Sequence, residues 1–241
     1  MEKLELASDT MTMVVLGEFD PLLVTPRWLR KMDLIGVEDY ESYRIELITP
    51  NATVVNFGAI QLKVLPDTLE VSTDAVSDVE VARDLAAGIL LSEGASTIGA
   101  IGINRMVHFS SPFSNWHAIG DALVPKTLWT DVIHLPGMLS LSLAGARDDG
   151  YSGAVNVQIQ PSAIVQPGVF VSVNDHYTLT LTDIPVERTM AGPLAPSDAI
   201  RSVEKIAVAT SIMTTKFSAS RARAQSIIDR VESLGNVTGG Q

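Results

Sequence analysis

The longest uninterrupted pattern lies near the C-terminus. From Ser197 to Leu234 the chain has neither Gly nor Pro, and Ala199, Val203, Ile206, Thr210, Met213, Phe217, Ser220, Ala224, Ile227, Val231 and Leu234 recur at alternating steps of four and three. That spacing predicts one side of a long helix, which at 1.5 Å per residue would reach roughly 55 Å, more than a domain needs to cover its core. Surplus helix points to assembly. The small and polar positions Thr210, Ser220 and Ala224 thin the stripe, so we expect no isolated coiled coil and a break near Ser218-Ala219-Ser220. The part through Phe217 is expected to close on the body, and Arg221 to Leu234 to reach a partner.

The rest reads as two rounds of strands followed by helix. Met11–Gly17 is a strand and Pro26–Asp33 a short helix with proline in its first turn. Arg44–Thr49, Thr53–Asn56, Ile60–Leu65 and Leu69–Thr73 are β-favouring runs divided by Pro50-Asn51, Gly58 and Pro66-Asp67. Asp74–Ser92 has helical spacing, and Thr97–Phe109 returns to strand. A helical connector at Asn115–Val124 leads to alternating runs at Met138–Leu143, Ala154–Gln160, Gly168–Asn174 and Tyr177–Thr182, with Asn174-Asp175 read as a hairpin turn. The fold class is therefore α+β, with two antiparallel β-meanders each backed by helix and a long C-terminal helix. It divides into 1–110, 111–196 and 197–241, read as one continuous body.

Period-two alternation sets Leu141, Leu143, Val155, Val157, Ile159, Val169, Val171 and Val173 on one face of the second meander. The opposite face holds Ser142, Asn156, Gln158, Gln160, Ser172, Asn174, Thr178 and Thr180, with no charge among them. A face left in water gathers Lys and Glu, so this neutral one suits a partner or a ligand groove.

Charge changes the picture only at the end of the chain. Residues 1–187 carry 10 Lys and Arg against 24 Asp and Glu, while 188–241 carry 7 against 4, within a net charge of −11. The acidic body repels a nucleic-acid backbone, which argues against such a partner except through the tail. There is no Cys, which removes disulfides and thiolate chemistry and fits a cytoplasmic protein. No apolar run approaches a membrane span, and no export signal opens the chain.

Candidate chemistry is sparse. His117 and Asp121 share a side of the connector helix, and Asp131 with His134 follows, but no metal-binding signature links them, so we expect neither metal nor cofactor. Gly99 and Gly102 do not fit a nucleotide fingerprint and are read as a close approach of helix to sheet, facing Ala86, Ala87 and Gly88. Arg105, Asp175 and His176 gather polarity beside buried strands and are the candidates for catalysis or a ligand pocket, although no Gly-x-Ser-x-Gly elbow supplies a nucleophile. Pro26-Arg27-Trp28-Leu29, Gly102-Ile103-Asn104-Arg105 and Val173-Asn174-Asp175-His176-Tyr177 resemble short motifs of an uncharacterised group of bacterial proteins. The resemblance implies a bacterial or phage-related cytosolic origin and attaches no activity. The leading reading is a non-enzymatic assembly component that binds protein partners or itself through Arg221, Arg223, Ile227 and Arg230 of the helix and Asn156, Gln158 and Thr180 of the sheet. The alternative is a hydrolase or small-ligand binder at Arg105, Asp175 and His176.

Overall fold

The computed structural model describes residues 4–92, 94–95, 97–179 and 198–235. In chain order these form β1 (Glu5–Glu18), α1 (Pro26–Lys31), α2 (Val37–Ser42), β2 (Arg44–Thr49), β3 (Ala52–Phe57), β4 (Ile60–Val64), β5 (Thr68–Thr73) and α3 (Val79–Leu91). Then come β6 (Thr97–Ser110), α4 (Phe113–Leu123), β7 (Leu141–Ala146), β8 (Gly153–Pro161), β9 (Gly168–Thr178), α5 (Asp198–Thr215) and α6 (Phe217–Gly235). The α+β class stands, with both meanders and the terminal helices in place.

The two meanders are one sheet. Its order is β2-β3-β4-β5-β1-β6-β9-β8-β7, antiparallel throughout. The 14-residue strands β1 and β6 pair at the centre, so β6, which the sequence reading placed at the end of the first half, opens the second. Each half has the same course: a long strand, a helical connector, a meander whose last strand returns beside the first, then helix.

Alternation decides what each strand buries. Met11, Met13 and Val15 of β1, Leu62 and Val64 of β4, and Leu69 and Val71 of β5 point to one side, into a core shared with Leu29 of α1 and with residues of α3 and α5. On the same side of the second half, Val107, Phe109, Val169, Val171 and Val173 meet Ile119 of α4 and Ala224, Ile228 and Val231 of α6. Gly58 turns β3 into β4 at φ +58°, a conformation that a side chain disfavours.

Three expectations are corrected. Asn174-Asp175 is no turn: β9 continues to Thr178, flanked on both sides, with Asp175 opposite Ile103 of β6 and Val155 of β8. The propensity of Asn and Asp for turns yields here because two arginines satisfy the buried carboxylate. Next, the C-terminal helix does break, but at Lys216, two residues ahead of the expected Ser218-Ala219-Ser220. The Thr210, Thr214 and Thr215 hydroxyls each donate to a carbonyl four residues back, competing with the helix ladder just before the bend. The expected stripe holds from Met213 through Phe217, Ser220, Ala224 and Val231, all buried, and departs from its course before Met213, where Val203 is 68% exposed and Ala209 and Ile212 are buried. Finally, Gly99 and Gly102 do not seat a helix; a Cβ on Gly99 would meet open space, and Gly88 packs against Leu34 instead.

Candidate functional site

The three residues that the sequence offered as a pocket are divided by the sheet. Strand alternation turns Asp175 and Arg105 toward the helices and His176 to the opposite face, where its Nε2 lies 3.4 Å from the Thr178 hydroxyl. Asp175 is 1% exposed and holds Arg147, itself 2% exposed, on one carboxylate oxygen and Arg223 of α6 on the other. Arg147 also reaches Asp149 through Nε at 3.0 Å and Nη2 at 2.5 Å, and its guanidinium lies 3.5 Å above the Tyr177 ring. Burial acts to lower the Arg147 pKa, but the bonds and charges of Asp149 and Asp175 outweigh it and raise the pKa above its ordinary value. Burial raises the pKa of the Tyr177 phenol, whose oxygen is 3.4 Å from Ser220 of α6. This cluster joins β9, the β7–β8 loop and α6. It is a structural tie.

Arg105 makes a separate tie. Its Nε and Nη2 donate to the two carboxylate oxygens of Asp9 at 2.9 and 2.7 Å, and Nη1 donates to Gln225 of α6 at 2.6 Å. It lines a cavity of about 170 Å³ with Asp9, Asp74 and Arg221, which neither Asp175 nor His176 enters.

The Arg147 bond lowers the Asp149 pKa below its ordinary 3.8. A depressed carboxylate adds stability that is present above the unfolded value and lost as pH falls through the folded one. Urea melts between pH 5 and 2 are therefore expected to show a shallower loss of stability for Asp149→Asn than for wild type; equal slopes would remove Asp149 from the tie.

The open face is built differently. Arg44, Asn56, Gln61, Ser72, Thr12, Asn104, Asn174, Asn156 and Ala144 stand opposite one another in register across all nine strands. Asn174 Nδ2 donates to Asn104 Oδ1 at 2.6 Å, Asn156 Nδ2 to Asn174 Oδ1 at 3.2 Å, and Gln61 Nε2 to Asn56 Oδ1 at 3.2 Å. The amides form a row. Gly102 makes room for it, since a Cβ there would come within 3.1 Å of Asn104 Oδ1 and 3.2 Å of Asn174 Nδ2.

On either side of this row stand Val14, Leu16, Met106 and Phe170. His108 packs against Phe170 at 4.7 Å between ring centroids with its Nδ1 2.8 Å from the Ser162 hydroxyl, and burial lowers its pKa from the ordinary value. Lys63 and Glu70 pair at 3.3 Å on the first half of the face. Across β7, β8 and β9, the lining of a shallow hollow of about 290 Å³ includes Ser142, Asn156, Gln158, Ser172 and Asn174.

The remaining candidates take assorted places. Asn156 and Gln158 are exposed on the open face, and Gln158 donates to Gln160 at 2.8 Å. Thr180 lies outside the described residues. On α6, Arg223 turns inward to Asp175 and Ile227 is half-buried against the second core. Arg221 lies 5.7 Å from the Phe217 ring, and Arg230 is exposed. Asp121 pairs with Lys126 at 2.8 Å, and among the described residues no group of three or more His, Asp or Glu is placed to hold a metal ion. No helix among them is long and apolar enough to cross a membrane.

Sequence reasoning passed over Arg147 and Asp149. The signal present was Arg147-Asp148-Asp149-Gly150, a charged run beside a turn glycine at φ +84°, which reads as loop and gives no hint of burial. No family model, curated protein or solved structure matches the chain.

Proposed function

We propose that this protein is a non-enzymatic assembly component of a bacterial or phage-encoded complex, which holds a protein partner on the open face of its sheet. The observation that carries this reading is the in-register amide row. Asn104, Asn174 and Asn156 restrain one another, so a partner would meet groups already held in place, and their remaining hydrogen-bonding capacity faces outward. On the second half of the face, across β7, β8 and β9, Ser142, Asn156, Gln158, Ser172 and Asn174 carry no charge, so covering that part avoids the cost of stripping water from ions, and Leu16, 43% exposed, adds apolar area beside the row. The fitting partner is uncharged, with hydrogen-bonding and apolar groups of its own. Half-buried Arg221 and exposed Arg230 of α6 are a second contact in the same reading. The rival hydrolase or ligand-binding reading requires Arg105, Asp175 and His176 in one cavity; His176 lies across the sheet from the other two, and Arg105 and Asp175, on the helix side, belong to separate ion-pair clusters.

The test uses Asn156→Lys and Gln158→Lys together, two exposed positions where the fold tolerates charge. The native complex is isolated with wild type and with the variant and its subunits are compared by mass. The variant is expected to lose the wild-type partner while keeping its melting temperature within a few degrees. Undiminished co-purification would overturn the open face as the contact.

A further inference from the structure

The sheet ends in two unlike edges, β2 and β7. An edge strand offers unpaired backbone groups to any other strand, and proteins guard such edges with charge and bulges. β2 has both devices: Arg44, Glu46 and a register shift between Ile45 and Leu47. β7, Leu-Ser-Leu-Ala-Gly-Ala, has neither, and five of its six residues are exposed. Among the described residues nothing pairs with its outer side.

The segment leading into β7 reinforces this. Trp129, Val132, Ile133, Leu135 and Leu139 are exposed there, Leu135 at 84% and Leu139 at 86%, and Leu143 of β7 continues the patch at 54%. Trp129, Ile133 and Leu139 line one hollow of about 370 Å³. From Val132 to Ala146 the chain carries no Asp, Glu, Lys or Arg, although its net charge is −11. Copies that repel one another elsewhere can meet here.

We propose that β7 is a dimerisation edge, where two copies pair β7 with β7 antiparallel about a two-fold axis and extend the nine-stranded sheet into one of eighteen. Directly opposed residues of antiparallel strands share a face, so the axis is normal to the sheet and passes midway between the two copies of one residue, Leu143 or Ala144 at the middle of the strand. The helices of both copies then lie on one side and the two open faces become continuous. The guarded β2 edges stop growth at two, whereas pairing of β7 with a neighbour's β2 would propagate into chains. This goes beyond the open-face reading and does not depend on its partner.

The test is the mass of the isolated full chain by light scattering at micromolar concentration. Wild type is expected at twice 25.8 kDa, and Leu143→Lys and Ala144→Lys each at the single mass. Because the chain has no Cys, Leu143→Cys and Ala144→Cys made separately give a second measurement that does not require destabilising the edge. Under mild oxidant at least one is expected to form a covalent dimer, and Glu46→Cys on β2 is expected to form none. The proposal is overturned by a wild type that stays at the single mass, by a ladder of higher masses, by a dimer that survives both lysines, or by failure of both cysteines to cross-link. Asn156→Lys with Gln158→Lys leaves the dimer mass unchanged, so failure of the open-face reading and failure of this one are separately visible.

Discussion

Asp175→Ala is expected to cost about 3 kcal/mol, the lower end of what removal of one partner from a buried ion pair costs. The wild-type cluster balances Asp149 and Asp175 against Arg147 and Arg223; without Asp175 the guanidinium of Arg147, only 2% exposed, keeps Asp149 alone. Arg223 is 31% exposed and can turn to water, which limits the loss. For a chain of this length the change corresponds to a fall in melting temperature on the order of 10 °C. A denaturant midpoint that shifts without a change in slope would locate the effect in stability itself. Arg147→Met with Asp175→Leu is expected to cost less than Asp175→Ala, because an apolar pair of similar volume leaves no charge stranded. If the double variant proved the less stable, the cluster's net contribution would be larger than that of the apolar pair. A loss below about 1 kcal/mol for Asp175→Ala would place Asp175 among exposed pairs and contradict its burial.

The same cluster shows where the sequence stopped being informative. Strands β4, β8 and most of β9 announce themselves because Val, Ile and Leu alternate with polar residues, and each such residue faces a uniform environment on its side of the sheet. Asp175 occupies an inward position of that alternation. Its neighbours Val173 and Tyr177 call for continued strand, yet local propensity calls for a turn, and the arginine that settles the matter lies 28 residues away. Long-range compensation of this kind leaves no local trace. The neutrality of Asn156, Gln158, Ser172 and Asn174 was legible for a similar reason in reverse, being a property of a strand's own period. The register that aligns Asn174 with Asn104, Thr12 and Ser72 was not, since it depends on β1 and β6 meeting at the centre of one sheet. The helical stripe was legible after Met213, where Phe217, Ser220, Ala224 and Val231 are buried at the expected spacing, and was misplaced before it, where Val203 is exposed and Ala209 and Ile212 turn inward instead.

The bend at Lys216 gives Phe217 the second large expected effect. It is the first residue of α6, 1% exposed, and packs in the core of the first half, whereas Ala224, Ile228 and Val231 of the same helix pack in the core of the second. One aromatic side chain thus anchors a helix that joins both cores. The Arg83 guanidinium lies 5.0 Å from its ring centroid and that of Arg221 5.7 Å, close enough for a cation–π contribution beyond burial. Phe217→Ala removes the ring from a site flanked by the α5–α6 bend, and we expect a loss of about 3–5 kcal/mol. Phe217→Leu refills most of the volume and forfeits the ring, so it is expected to recover more than half of that loss. Hydrogen exchange supplies the structural readout. If Phe217 holds the bend, amides on both sides of Lys216 lose protection together in Phe217→Ala, and Ser220, whose amide donates to the Lys216 carbonyl at 2.9 Å, is among them. Loss of protection confined to α5 would show that α6 is held by the second core alone, and that the two cores are coupled through the sheet and not through this helix.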